Sequence, residues 1–487
     1  MKSRRRLIIA SNRLPVTAQV VDGRVNFVPS AGGLVSAMTS ILHDSGGCWV
    51  GWPGSVSNNG ATPTLDFEAP GENYSLQPVL LSEAEQNGYY KGFSNEIIWP
   101  LFHGFSTRCS FDLDYWNYYR NVNARFATMI NAMSSSEDLV WVHDYHLMLV
   151  ASFIKAKGRL SDLAYFHHIP FPAPDIFEIL PWRTPLLRGL LQFNVVGFQT
   201  ARDQRNFVDC VRRYLPNSNV RRVAGRYEVS TSEHSTTAGV YPISIDYESF
   251  SGEAMDPTVL ERVESIKKSL AGSRLILGVD RLDYTKGILE RLAAYRLLLS
   301  RYPELRGKVT FIQIAVPSRE DIPEYQQLRL KIENCVSRIN GEYGKDGWAP
   351  VQYFYRSISR TDLIAYYRAA DVAAVTPLRD GMNLVAKEFC AARFDGRGAL
   401  VLSEFAGAVD ELRIGALIVN PYDVERFADA LHAALYLNDS EQAVRMHAMR
   451  LEIRAHDVYY WADLFTTDCR SATEPVGGMA GASRGYY

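Results

Sequence analysis

The sequence predicts an α/β protein built from two doubly wound domains that face each other across a cleft. Three observations carry this reading. Short apolar runs alternate with helix-patterned segments through both halves of the chain, and strands alternating with helices make parallel sheets. Several runs end in polar or glycine-bearing clusters, at the carboxyl ends where open α/β sheets bind ligands. The chain has 487 residues, more than one hydrophobic core usually supports, so two domains are expected.

In the first half the strand runs are 7–11, 139–142, 164–167 and 195–198. Ser11-Asn12-Arg13 places Arg13 at the carboxyl end of the opening strand. Ser30-Ala31-Gly32-Gly33-Leu34 precedes a helix, and paired glycines let backbone N–H groups approach an anion closely. Val142-His143-Asp144-Tyr145-His146 ends one strand and His167-His168-Ile169-Pro170-Phe171-Pro172 another. Asp144 and His168 are therefore candidates for the crevice, although a histidine at a strand end is more often structural than catalytic. Trp52, Tyr89, Tyr90 and Trp99 are aromatics of the kind that cradle sugars; taken singly, each fits core packing better. Asp112-Leu113-Asp114 reads as a solvated loop, despite a superficial likeness to a metal-binding Asp-x-Asp.

The hinge falls at 239–246, with the boundary near residue 245. In the second half the strands are 275–279, 309–315, 351–355, 372–375, 399–402 and 416–419. The first of these runs into Asp280-Arg281-Leu282-Asp283-Tyr284-Thr285-Lys286-Gly287 and then a helix. Arg281 and Lys286 flank that turn and suit a diphosphate, one as a planar fork and the other as a movable point charge. The competing reading makes them surface cations partnered by Asp280 and Asp283. Thr376-Pro377-Leu378-Arg379-Asp380-Gly381-Met382-Asn383-Leu384-Val385-Ala386-Lys387-Glu388 reads as a strand end, a polar turn and a helix start. Asn383 is the expected cap, Asp380 faces the crevice and Glu388 lies further along the helix.

Composition narrows the class. Hydrophobic residues make up 47% and charged residues 22%, ordinary values for a soluble enzyme. A net charge of −2 argues for neither nucleic acid nor an anionic membrane as partner. No run approaches the roughly 18 apolar residues of a membrane helix, and the apolar stretch after Lys2–Arg6 is too short for a signal peptide. Six cysteines without CxxC spacing read as reduced structural thiols, so a cytoplasmic location is expected.

Taken together, the segments resemble the trehalose-6-phosphate synthases, retaining glucosyltransferases of the GT-B class with two Rossmann-like domains. The matching stretches include SNRLPV (Ser11–Val16), SAGGL (Ser30–Leu34), YYKGFSNEIIWP (Tyr89–Pro100), HDYHLM (His143–Met148) and HIPFP (His168–Pro172). GFQT (Gly197–Thr200), RLDYTKG (Arg281–Gly287), PSRED (Pro317–Asp321), TPLRDGMNLVAKE and LSEFAGA (Leu402–Ala408) continue in family order. The resemblance runs from about residue 7 to residue 465. It implies an N-terminal acceptor-binding domain, 1–245, and a C-terminal nucleotide-sugar-binding domain, 246–471, whose last helix packs back on the first. Residues 472–487 form a tail that is expected to be mobile.

The resemblance also implies roles. Arg281 and Lys286 would hold the donor diphosphate, with Gly32 and Gly33 as the loop closing over the substrates. His168 and Asp380 would contact the transferred glucose, Glu388 the ribose, and Leu384 and Val385 the donor through their backbone. Arg13 and Arg319 would clamp the acceptor phosphate, with Trp52, Tyr90, Trp99 and Asp144 around the sugar. The extra stretch 20–29 near the glycine loop is expected to alter loop closure and not chemistry. The implied reaction moves glucose from UDP-glucose to glucose 6-phosphate with retention, giving α,α-trehalose 6-phosphate and UDP. It assigns no protein nucleophile and no cofactor or metal, the two cations taking a metal's place. Arg281→Ala and Lys286→Ala are both expected to fold normally and turn over poorly.

Two alternatives stay open at this stage. One is a synthase with another phosphorylated acceptor, such as glycerol 3-phosphate; the other is a catalytically silent sugar-phosphate sensor, distinguished by ligand binding without UDP release. Diphosphate and ribose contacts are common to UDP, GDP and ADP donors, so the base stays open, as does assembly into a homo-oligomer. The downstream phosphatase is expected on a separate chain.

Overall fold

A computed structural model describes residues 5–21, 24–29, 32–54, 73–158, 162–232 and 234–473. Its seventeen strands fall into two large sheets and one hairpin. The first sheet takes β1 (Leu7–Arg13), β4 (Gly47–Trp52), β5 (Tyr74–Pro78), β6 (Leu139–His143), β7 (Asp162–His167) and β8 (Val195–Phe198). It adds β9 (Asn219–Val223), β10 (Arg226–Ser230) and β11 (Ser235–Val240). The spatial order is β5-β4-β1-β6-β7-β8-β11-β10-β9, parallel up to β11 and antiparallel beyond it. The second sheet is β12 (Arg274–Arg281), β13 (Val309–Val316), β14 (Val351–Tyr355), β15 (Val372–Val375), β16 (Ala399–Ser403) and β17 (Leu417–Val419). It is parallel throughout, in the order β14-β13-β12-β15-β16-β17.

Both sheets have a switch point where strand order reverses, and open α/β folds bind ligands there. In the first it lies between β1 and β6, the strands whose ends carry Arg13 and Asp144. In the second it lies between β12 and β15, followed by the Lys286 and Asp380 turns. The parallel central strands are apolar because helices cover both their faces; β6, β8, β15 and β16 are buried along their whole length.

The strands expected from the sequence are all present, three with the expected ends (β8, β14 and β15) and the others with ends shifted by one or two residues. The unexpected ones have identifiable causes. β4 carries two glycines in six residues, which breaks an apolar pattern. β9 is largely exposed and polar and belongs to the antiparallel extension, where no continuous apolar run is needed. β11 pairs with β8 through Gly239 and Val240, so those residues of the expected hinge lie inside the first sheet. The extra stretch near the glycine loop falls in a hairpin of β2 (Val16–Val21) and β3 (Arg24–Pro29). Asp112 caps the helix Leu113–Met133, accepting from the Asp114 N–H at 2.8 Å. The Asp-x-Asp is therefore a helix start and not a loop.

The helix Val458–Thr473 crosses to the first sheet. Its Trp461 lies 4.9 Å from the Trp141 ring and Phe465 stacks on Trp141 at 4.6 Å. The helix reaches two residues into the expected tail, and residues 474–487 lie outside the described residues. Among the described residues no helix is long and apolar enough to cross a membrane.

Candidate active site

The turn after β12 is a short 3₁₀ segment, Tyr284–Lys286, capped by Asp283. Gly287 follows at φ 66°, and a Cβ there would sit 2.3 Å from the Thr376 carbonyl oxygen. Only glycine meets both demands. Gly287→Ala should therefore cost about 1–2 kcal/mol from the backbone alone, and more from the clash, measurable as a lowered urea midpoint. Behind the turn, Arg291 is fully buried and holds it together. Its guanidinium pairs with Asp280 at 2.5 Å and donates to Thr376 Oγ1 at 3.0 Å and to the Lys286 carbonyl at 3.2 Å.

The carboxylates are not distributed as the competing sequence reading had them. Asp280 takes Arg291, Asp283 takes Arg319 at 2.7 Å, and Lys286 takes Asp380 at 2.6 Å. Arg281 makes no ion pair among the described residues; its guanidinium carbon stands 5.6 Å from the centre of the Trp99 ring. Burial pushes the Asp380 carboxyl up, but Lys286 and the charge of Arg281 outweigh it and hold the group below its ordinary value. Asp283 is likewise held down by Arg319, Lys286 and Arg281 against its burial.

Asn383 does not cap as expected. Its side chain donates to Asp380 Oδ2 at 3.1 Å, and the helix Leu384–Ala392 starts without a side-chain cap. Asn383 sits at φ 91°, Asp144 at 74° and Arg319 at 51°. These are three of the five non-glycine residues with positive φ among the described residues. Each such conformation costs on the order of 1–3 kcal/mol and collects where function demands it.

The two lobes touch at the cleft. A Cβ on Gly381 would lie 2.1 Å from the His168 carbonyl oxygen, and one on Gly33 would lie 2.6 Å from a Leu384 methyl. Arg319 reaches across from the second lobe: its guanidinium lies 4.2 Å from the centre of the Trp99 ring and donates to Tyr145 Oη at 3.4 Å and Tyr325 Oη at 2.5 Å. Trp99 is thus flanked by both arginines. An aromatic series continues from it, with Tyr145 at 5.8 Å, then His146 at 3.9 Å, then Tyr90 stacked at 6.0 Å and Trp52 at 5.6 Å. Arg13 ends the series, 4.7 Å above Trp52 and donating to Thr17 Oγ1 at 3.2 Å. Tyr89 and Tyr90 come from a 13-residue π-helical stretch, Gln86–Ile98, a winding that is rare and concentrates at functional sites.

Asp144 accepts from the His168 N–H at 3.3 Å. Burial raises its carboxyl from 3.8 to about 7, against the opposing pull of backbone N–H groups, Arg281 and Arg319. The sign is that of a raised group. Its proton stabilises the fold at low pH, and the contribution fades as pH rises through about 7. Asp144→Asn should therefore gain melting temperature relative to the wild type between pH 5 and pH 8, a differential that scanning calorimetry reads directly.

Glu388 accepts from Tyr367 Oη at 2.8 Å, and burial pushes its carboxyl up. It lines a cavity of about 300 Å³ with Gly33, Ser36, Ile245, Arg360 and Leu384, so the glycine loop's end and the expected ribose carboxylate share one space. Val385 is half-buried against the core. Ser30 and Ala31 lie outside the described residues. Asp283, Tyr145, Tyr325, Arg291 and Lys387 complete the site or its support. Asp283, Tyr145 and Lys387 sit inside the quoted motifs, whereas nothing in the local pattern marks Tyr325 and Arg291. Among the described residues there is no cluster of three His, Cys, Asp or Glu that could hold a metal.

The model of glycosyltransferase family 20 matches residues 5–471. The chain belongs to this family. A family 20 relative from Mycobacterium leprae, a trehalose-6-phosphate synthase, is 41% identical over 94% of this chain and 93% of its own. A bifunctional trehalose-6-phosphate synthase/phosphatase from Thermoproteus tenax is 41% identical, covering 97% of this chain and 65% of its own. The chain thus spans about two thirds of that longer relative. A solved family 20 structure, an α,α-trehalose-phosphate synthase (UDP-forming) from Burkholderia xenovorans in complex with glucose-6-phosphate, superposes with a TM-score of 0.89 at 37% identity. It covers 96% of this chain and 100% of that one. The two-sheet architecture predicted from strand alternation is that of the family.

Proposed function

We propose that this family 20 enzyme transfers glucose from UDP-glucose to glucose 6-phosphate with retention, releasing UDP and forming α,α-trehalose 6-phosphate. The observation that carries the reading is the pairing of site chemistry across the cleft. Arg281 and Lys286 stand together on the second lobe, and Asp380 is held as an anion between Lys286 and Asn383. Facing them, Trp99 packs under Arg281 and Arg319. Fixed cations at a leaving diphosphate stabilise charge without reorganising during reaction. The lobes supply orientation of donor and acceptor, which by itself is worth several kcal/mol.

In this reading Arg281 and Lys286 hold the diphosphate and Asp380 and His168 meet the transferred sugar. Glu388 takes the ribose, with Leu384, Val385 and the Gly32-Gly33 segment beside it. Arg13 and Arg319 take the acceptor phosphate, with Trp52, Tyr90, Trp99 and Asp144 about its sugar. The acceptor lobe is 1–245 and the donor lobe 246–471. The two cations carry the role a metal would otherwise fill, and the enzyme works in the cytoplasm.

Relatives support the substrates: the Burkholderia structure holds glucose-6-phosphate, and a further neighbour from E. coli, at TM-score 0.87 and 37% identity, is bound with UDP-2-fluoro glucose. The test is UDP release from UDP-glucose with and without glucose 6-phosphate, run beside GDP- and ADP-glucose and repeated in chelator. Acceptor-dependent release that survives chelation supports the reading. Release that needs no acceptor, or that vanishes on chelation and returns with magnesium, sinks it.

A further inference from the structure

His168 has both ring nitrogens engaged. Nε2 lies 3.0 Å from His143 Nδ1, and Nδ1 lies 3.3 Å from Gln199 Nε2. The proton positions follow from the far end of the chain of bonds. The Ile243 N–H donates to Gln199 Oε1 at 2.9 Å, which fixes the orientation of that amide. Gln199 Nε2 is then a donor only, so His168 Nδ1 must accept. A neutral imidazole carries one N–H, so the proton of His168 is on Nε2 and points at His143 Nδ1. His143 in turn carries its proton on Nε2, which has no acceptor among the described residues. Both rings are held neutral: burial and the neighbouring histidines push His168 well down, and burial brings His143 to about 3.

The start of this relay belongs to the other lobe. Ile243 lies in the segment between β11 and the second lobe, and its carbonyl accepts from Lys387 Nζ at 2.9 Å. Lys387 is fully buried, pairs with Glu411 at 2.7 Å, and directly precedes Glu388 on the helix that follows the Asp380 turn. Ile243 therefore accepts from the second lobe through its oxygen and donates its N–H to Gln199, which in turn donates to the histidine of the first. Gln199 itself is 2% exposed, and its amide makes no other hydrogen bond among the described residues.

We propose that Gln199 is a positioning residue that locks His168 as its Nε2–H tautomer and so commits that proton to His143, which fixes the ring in one orientation beside the transferred sugar, with Lys387 setting the lock from the donor lobe through Ile243. The inference rests on the reading that His168 contacts the glucose. A histidine free to flip its proton would break the Nε2–H bond to His143 Nδ1 and lose the single ring orientation that this bond imposes. Partners of this outer kind typically change activity 10- to 100-fold.

The test separates the lock from its catalytic use. Selectively 15N-labelled histidine in the full-length, ligand-free enzyme reports each ring's tautomer, with His168 assigned by loss of its signals in His168→Asn. Wild type should show protonated Nε2 and bare Nδ1. Gln199→Met, which keeps volume and removes the donor, should give a mixture. Gln199→Glu, which offers an acceptor, should move the proton to Nδ1. Lys387→Met should shift the balance in the same direction as Gln199→Met. In parallel, Gln199→Met should lower kcat for UDP release about 10- to 100-fold, with the KM for glucose 6-phosphate within about twofold. A wild-type proton on Nδ1, or a tautomer unchanged in both Gln199 variants, overturns the lock. Tautomers that move as expected while kcat stays at the wild-type value overturn the part given to His168 in transfer.

Discussion

Arg281→Ala is expected to fold as the wild type does and to lose turnover about 10²–10³-fold, the loss seen when a donor aimed at developing charge is removed. The two halves of this expectation have separate causes. Arg281 is exposed at the end of β12 and makes no ion pair among the described residues, so truncation leaves no buried partner behind. Its charge nonetheless reaches Asp144, Asp283 and Asp380, each of which it pulls toward ionisation. The urea midpoint should therefore stay put while kcat for UDP release collapses. Lys286→Ala departs from the sequence-based expectation of normal folding. Its ammonium is 9% exposed and bound to a carboxylate that is 16% exposed. Removing one member of a buried pair costs on the order of 3–5 kcal/mol. Lys286→Ala should lose stability as well as turnover, and adding Asp380→Asn should restore the midpoint without the activity. A wild-type turnover in Arg281→Ala would remove the leaving-group role.

Arg319→Ala has the largest expected effect on the fold. The guanidinium and its partner Asp283 are 5% and 0% exposed, and Tyr325 donates to the same Asp283 oxygen at 3.2 Å. Truncation strands a buried carboxylate and empties the space over Trp99, so a loss of about 3–5 kcal/mol is expected from the ion alone. Such a variant cannot report on the acceptor by itself, because poor folding and poor binding both lower activity. Arg319→Met with Asp283→Asn keeps the volume and cancels the charge. That double variant should fold, bind UDP within a few-fold of the wild type, and raise the KM for glucose 6-phosphate by tenfold or more, as loss of a charge-assisted phosphate contact requires. Calorimetric titration with each ligand distinguishes the cases. Equal weakening of UDP and glucose 6-phosphate would argue against an acceptor clamp.

Much of this was legible locally. The strands β8, β14 and β15 have the bounds read from the sequence; β8 and β15 are buried throughout, and a buried parallel strand must be continuously apolar. The turns carrying Lys286 and Asp380 announce themselves because a strand must stop, a polar loop must cross the sheet end and a helix must begin. Motif likeness then names residues that spacing alone leaves ambiguous. What resisted reading is equally specific. β10 and β11 lack a continuous apolar run because an antiparallel extension can leave one face to solvent. Asn383 looks like a helix cap by type, yet its amide is taken by Asp380. Asp380 is held there by Lys286, which lies 94 residues earlier in the chain, after the neighbouring strand.

The order of elements, the two-lobe plan and the chemical types gathered at the strand ends were already set by the chain, because periodicity and turn chemistry act over a few residues. Which carboxylate meets which cation was decided only in three dimensions. Burial makes an unpaired charge so costly that the closest opposite charge takes it, and distance across a sheet or a cleft is not written in sequence separation. The proton on His168 belongs to the same class, settled by an amide whose direction comes from the segment joining the lobes.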